Sequence, residues 1–366
     1  CLPYVWEILH LIPSSLRHFF ASSVPIEFLL IVLLAFAPLA YGAVDAWSEL
    51  VVLSLVAAMT LCLALRLVAD RFERIRWSWS YLPILLFLAL AVFQILPLPS
   101  PWLAAISPQT AATRASLVGD LPGAAEALSF ASLSLYPHAT KHDLRLVFAT
   151  AAVFFIVRSV YHRPEQVRRL LVGVAVIGGG IALLAFVQDL SGTDKIYGRV
   201  PIAKPANSGP FVNHSHYSQF MNLCIGAAFG LLLMKLHDLF PAGSDRRVAD
   251  IWHRLREPKA RVLWWLAAMI TLGAATIFLS LSRTGSLCLL VAGGLTALAL
   301  ASLRTLRGRS GVLLLVGIGV LVFLLYAGFD VVYDRLGTLA DLPDRYADRW
   351  QILQDVAVVW SQFPLF

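Results

Sequence analysis

The sequence predicts an all-α, polytopic integral membrane protein with about nine transmembrane helices, and three observations carry that reading. The chain is 59% hydrophobic and only 14% charged, with a mean hydropathy of +0.76. A soluble protein of this length needs more polar surface than that. Several apolar runs reach about 18–22 residues, enough at 1.5 Å per residue to cross about 30 Å of hydrocarbon. Finally, Lys and Arg gather in alternate short loops beside those runs, as the positive-inside rule arranges them. A transmembrane β-barrel would instead alternate over segments of about ten residues. The formal charge of +7 does not indicate nucleic acid, because no basic face is interleaved with aromatic residues.

Taken in order, spans are expected over 24–43, 49–69, 81–98, 145–160, 170–190, 217–236, 262–281, 285–303 and 312–329, with the N-terminus inside. A tight turn over 44–48 joins the first two. The segment DRFERIRWSWS that follows the second carries Arg71, Arg74 and Arg76 beside interfacial tryptophans, which marks a cytoplasmic loop. The third span ends in LPLPSP. Residues 99–144 then read as an external loop with few basic residues, broken by Ser, Pro and Gly and able to carry short interfacial helices. The fourth span returns to the basic YHRPEQVRR. The fifth contains the glycines Gly178, Gly179 and Gly180, which suit close helix packing rather than a phosphate loop, since no strand precedes them.

Residues 191–215 are external, and 237–261 form the richest basic loop. Spans seven and eight make a hairpin with Arg283 at its turn, and the basic RTLRGRSG leads into span nine. Residues 330–366 are external again, with helical periodicity from about Trp350. Cys62, Cys224 and Cys288 fall within predicted spans and, like Cys1, form no CxxC pair, so apolar packing is their expected role. The chain opens on Cys1 and stops at Phe366 within a continuing pattern, so it is expected to be a piece of a longer protein.

Three polar stretches fall on the same predicted side of the membrane. The first is GPFVNHSHYS (209–218), with Asn213, His214 and His216 just before a span. Alternation in an extended segment would put the two imidazoles on one face, where they would hold a metal; no third ligand is evident at a useful spacing, and no metal is expected. His216 also suits a general base or a donor to phosphate or sugar, since imidazole titrates near neutrality. Asn213 or Ser215 would serve equally as a helix N-cap.

The second stretch is SLSRTGS (280–286). The Arg283 guanidinium stays charged and forks onto two oxygens, which fits phosphate or diphosphate. Its plainer alternative is an arginine reaching for lipid headgroups. The third is RYADRW (345–350), with Arg345 and Arg349 four residues apart and on one face of a helix. Asp341, Asp344, Asp348 and Asp355 would make that helix an ordinary ion-paired one. Arginines and a histidine at one membrane face point to a lipid-linked phosphate and transfer of its head group.

At these residues the chain resembles the O-antigen ligase and O-antigen polymerase superfamily of bacterial envelope glycosyltransferases. GPFVNHSHYSQF is similar to that family's G-x-F-V-N-R-N-H-F-A entry into a span, and FLSLSRTGSL to its L-S-x-S-R-G hairpin. DRWQILQDVAVVWSQFPLF resembles the R-x-x-[IL]-[WY]-x-D segment of its large periplasmic loop, and PLAYGAVDAWS and FQILPLPSPWL extend the likeness over most of the chain.

The resemblance implies a GT-C-like architecture in the bacterial inner membrane. It also implies metal-independent, inverting transfer of a glycan from undecaprenyl diphosphate at the periplasmic face, without a cofactor. The acceptor is lipid A–core in a ligase and a lipid-linked glycan in a polymerase. Arg283 and Arg349 would grip the diphosphate, with His216 the third catalytic candidate; Asn213, His214 and Arg345 would bind substrate. His214 stands where the family has arginine, and the family's distal histidine motif would lie beyond residue 366, so turnover is expected of the longer protein only. The competing readings are a transporter of an anionic solute, which would need ionisable groups near the midplane, and a non-catalytic assembly subunit.

Overall fold

A computed structural model describes residues 22–69, 77–202, 207–239, 253–302, 318–319, 322 and 342–363. The described chain is that of an all-α membrane protein: five helices, Ala46–Ala69, Pro164–Leu190, His214–Leu239, Pro258–Leu279 and Arg283–Leu300, are long and apolar enough to cross a membrane. Two shorter apolar helices join them, Val24–Leu39 and Tyr81–Ile95. The expected span over 312–329 lies outside the described residues, apart from 318, 319 and 322.

Two compact units are present, one built on Val56–Val160 with the described part of 340–366, the other on Ser23–Leu55 with the described part of 161–339. In chain order the helices are α1 (Val24–Leu39), α2 (Ala46–Ala69), α3 (Tyr81–Ile95), α4 (Ser100–Ile106), α5 (Pro108–Val118), α6 (Ala124–Ser129), α7 (Pro137–Val160) and α8 (Pro164–Leu190). They continue with α9 (His214–Leu239), α10 (Arg261–Leu279), α11 (Arg283–Ser302) and α12 (Leu342–Gln362). Two antiparallel pairs of two-residue strands complete the list, β1 (Leu98–Pro99) with β2 (Phe130–Ala131) and β3 (Lys195–Ile196) with β4 (Val200–Pro201).

In the first unit α3 packs on α7 through an aromatic cluster, in which Tyr81 meets Phe154 edge-on at 6.2 Å and Phe155 at 5.5 Å. The stretch read as an external loop is folded. Short helices α4, α5 and α6 occupy it, and Leu103, Ala131 and Leu133 form a small core of their own. Arg114 on α5 ties this insertion together: its Nε donates to Ser132 O at 3.1 Å, and its Nη2 to Ser132 Oγ at 3.1 Å and to Ser134 O. Helix α7 begins at Pro137, eight residues before the expected span at 145, so its first three turns carry Lys141, Asp143 and Arg145.

In the second unit α8, α9 and α10 pack on one another, with α1 against α8 and α11 against both α9 and α10. Their cores run along the bundle, with Leu231, Leu232, Leu236, Leu263, Leu266 and Ile270 toward one end and Ile181, Tyr217, Met221 and Ile277 toward the other. The glycine triplet is read out unevenly. A Cβ on Gly178 would overlap Cβ of Cys224 and come within 2.8 Å of its Sγ, whereas a Cβ on Gly180 meets nothing within 4 Å. Gly178 is therefore what lets α8 approach α9, as small residues do between membrane helices.

At the start of α8, Gln166 Oε1 accepts from Arg163 N at 3.1 Å while its Nε2 donates to Glu27 Oε1 at 3.0 Å. Arg169 closes a fork on the same carboxylate, at 2.8 and 3.0 Å. That network fixes α1 to α8 at one end of the bundle. Substitution separates the glycines: Gly178→Ala is expected to lower the thermal midpoint of the detergent-solubilised protein through overpacking of about 1–3 kcal/mol, while Gly180→Ala leaves it unchanged or slightly raised. Equal effects would contradict the packing role of Gly178.

Candidate functional site

The other end of the second unit gathers a cluster of buried polar residues, among them Gln188, Asn207, Ser218, Ser280 and Ser282. There α8 and α10 end while α9 and α11 begin. Helix α10 stops at Leu279, and the turn to α11 is only Ser280, Leu281 and Ser282. Leu281 sits at φ +57, a left-handed conformation that costs a residue other than glycine about 1–3 kcal/mol. The two serines that flank it bond to backbone. Ser280 Oγ donates to Ile277 O at 2.7 Å, and Ser282 Oγ accepts from Gly285 N at 3.3 Å as the N-cap of α11. Ser280 and Ser282 are both buried.

Helix α9 begins against this turn. Ser218 Oγ donates to His214 O at 2.9 Å and lies 3.3 Å from Ser280 Oγ, and Asn222 Nδ2 donates to Gly285 O at 3.2 Å. The N-terminal turns of α9 and α11 are thus fastened side by side. The fit depends on Gly285, where an added Cβ would overlap Ser218 Cβ and stand 2.5 Å from its Oγ. The segment before α9 closes the cluster. Asn207 Nδ2 donates to Leu279 O at 2.7 Å, satisfying a carbonyl at the end of α10, and Asn207 Oδ1 is buried with no hydrogen-bond partner among the described residues.

Gln188, near the end of α8, fits with its amide nitrogen donating to Gly209 O at 2.9 Å and its oxygen accepting from Tyr197 N at 3.2 Å. Gly209 takes φ +56 there, packed on Ala185. Tyr197 in turn donates to Leu39 O at 2.8 Å, which caps the end of α1. Burial and the neighbouring Tyr41 phenol push the Tyr197 hydroxyl above its ordinary pKa, so it remains a donor.

The residues singled out from sequence take definite places on this frame. Arg283 is the first residue of α11 and is partly buried. A cation there opposes the helix dipole by about 0.3–1 kcal/mol. Asn213 directly precedes α9 and caps it, its Oδ1 accepting from Ser215 N at 2.8 Å. His214 opens the helix half-buried, and His216 stands exposed two residues on. Because this segment is helical and not extended, residues two apart diverge by about 200° around the axis. The common face that a two-histidine metal site would need is therefore lost. Among the described residues no group of three or more His, Cys, Asp or Glu is placed to hold a metal ion.

Arg283 and the Asn213–His216 turn thus belong to one end of one unit. Arg345 and Arg349 fall on α12, in the other unit, and the surroundings of their side chains lie outside the described residues. Sequence reasoning missed Asn207, Ser218, Asn222 and Gln188. The only sequence signal for them was an amide or hydroxyl close to a predicted span end.

The fit at Gly285 is testable. Gly285→Ala is expected to lower the thermal midpoint, and Ser218→Gly, which removes the atoms it meets, to recover part of that loss. A double-mutant coupling below about 0.5 kcal/mol would show that the two positions do not meet.

Compared with protein-family models, curated proteins and solved structures, the chain matches none.

Proposed function

We propose that the protein transfers a glycan from undecaprenyl diphosphate to an acceptor at the periplasmic face of the bacterial inner membrane, as an O-antigen ligase or polymerase does. The observation that carries this reading is the joining of Arg283 to the paired N-terminal turns of α9 and α11 at one end of a bundle of membrane-length helices. Each helix N-terminus contributes roughly half a positive charge, and Arg283 a full one. Together they make that end electropositive, and the polar end of a membrane-length bundle is where a lipid-borne diphosphate would meet it.

In the reaction an acceptor hydroxyl oxygen attacks the anomeric carbon, the bond from that carbon to the diphosphate oxygen breaks, and the acceptor's proton passes to a base. Arg283 stabilises the charge that develops on the leaving diphosphate; Arg349 is proposed, on the resemblance alone, as a second diphosphate-binding arginine. His216, exposed on the first turn of α9, is the candidate proton acceptor or a hydrogen-bond donor to the phosphate or sugar. Asn213, His214 and Arg345 would orient the head group. The proposed frame is GT-C-like, with about nine spans and no metal or cofactor in the step.

Transfer from purified undecaprenyl-diphosphate glycan, with lipid A–core and lipid-linked glycan offered as rival acceptors, tests this. Product on lipid A–core means a ligase, and chain lengthening a polymerase. Arg283→Ala is expected to lower transfer by about 10²–10³-fold with expression intact. Arg283→Lys should restore only part, because lysine lacks the fork. Near-normal transfer by Arg283→Ala, or a divalent-metal requirement that survives chelator controls, would overturn the reading.

A further inference from the structure

At the end of the second unit away from the candidate site, α8, α9 and α10 leave a groove of about 210 Å³ between them. Each helix lends one stripe to it, at the i, i+3, i+4 and i+7 spacing of a single face. Val172 and Val176 come from α8, Leu231 and Met234 from α9, and Trp265 and Met269 from α10. Ala175, almost wholly buried, forms the floor, so the groove exists because a small residue stands where a larger one would fill it. Its deep end is closed by Met269, whose Cε lies where a Cβ on Gly179 would fall.

The mouth has a different chemistry. Arg168 from α8 and Lys235 from α9 line it, with Asp238 as the single carboxylate among the lining residues. Lys235 Nζ reaches Asp238 Oδ2 only at 3.7 Å, and Asp238 is largely exposed, so one loose pair leaves an excess of positive charge. Beyond it the same end stays basic: Arg254 Nη1 donates to Leu239 O at 2.8 Å, at the end of α9, and Lys259 and Arg261 stand at the start of α10. Val176 and Trp265 are more than half exposed along a stretch that the helices' length and composition place in hydrocarbon.

We propose that this groove is a binding site for one anionic glycerophospholipid of the bilayer, its phosphate held by Arg168 and Lys235 and an acyl chain lying along Val172, Val176, Met234 and Trp265. The charge excess selects an anionic headgroup, as basic pockets between membrane helices do. The apolar stripe, about 12 Å long from Arg168 to Val176 at 1.5 Å per residue, selects a chain attached to that headgroup and not a free anion. The site is independent of the proposed glycan transfer and lies at the other end of the same three helices.

The test is lipid binding to the purified, delipidated protein, read by native mass spectrometry and by thermal midpoint. The probes are phosphatidylglycerol, phosphatidylcholine of the same chains, and inorganic phosphate. Phosphatidylglycerol is expected to be retained and to raise the midpoint well beyond phosphatidylcholine, with phosphate inert. Arg168→Gln and Lys235→Gln should each weaken phosphatidylglycerol binding about fivefold. Val176→Trp, at an exposed position and with both charges intact, should weaken both lipids by filling the groove. Equal retention of the two lipids, a shift reproduced by phosphate alone, or wild-type preference in the double Arg168→Gln/Lys235→Gln variant would overturn the proposal.

Discussion

Where α10 turns back into α11 within three residues, the chain leaves backbone groups without helical partners at the edge of an apolar bundle. Buried polar groups without hydrogen bonds are costly, and much of the second unit's polar chemistry is arranged around that constraint. Ser280, Ser282 and Asn207 satisfy the turn directly, and Ser218 and Asn222 bring α9 up against it. The same residues that complete the turn also align two helix N-termini and fix Arg283 beside them. The demands of folding therefore build an electropositive end whether or not a ligand is present, and the proposed function makes use of it.

The two ends of the α8–α9–α10 bundle divide the work by charge and by depth. One end carries helix N-termini, an arginine and buried hydroxyls in a closely packed cluster. The other carries a network that joins α1 to α8 through Glu27, Gln166 and Arg169, then a rim of arginine and lysine above an open apolar groove. Close packing between them depends on small residues such as Gly178, because hydrocarbon supplies no hydrophobic drive for helices to associate. Basic residues at one end and a buried polar cluster at the other suit a protein that sits in a bilayer with a defined orientation.

Much of this was legible in the sequence, and the limits have physical causes. Apolar length locates the five described helices long enough to cross a membrane, while the expected spans over 24–43 and 81–98 fall on shorter apolar helices and that over 145–160 on a helix whose first turns are polar. The Arg283 hairpin was also readable, because a charge between two apolar runs has few places to go. The helical start at His214 was not. Asn213 reads as a cap only once the following residues are known to be helical, and an alternating His-Ser-His looks the same in an extended segment. Asn207 and Gln188 escaped because their partners stand far off in the chain; Asn207 meets Leu279 across 72 residues. Arg114 escaped for a related reason: two of its three acceptors are backbone carbonyls, which no sequence pattern marks.

The most direct measurement is a structure of the protein with undecaprenyl diphosphate bound. The account predicts phosphate oxygens within hydrogen-bond distance of the Arg283 guanidinium and in front of the first turns of α9 and α11. Diphosphate density elsewhere, with Arg283 turned to lipid headgroups and those turns facing only water, would contradict it.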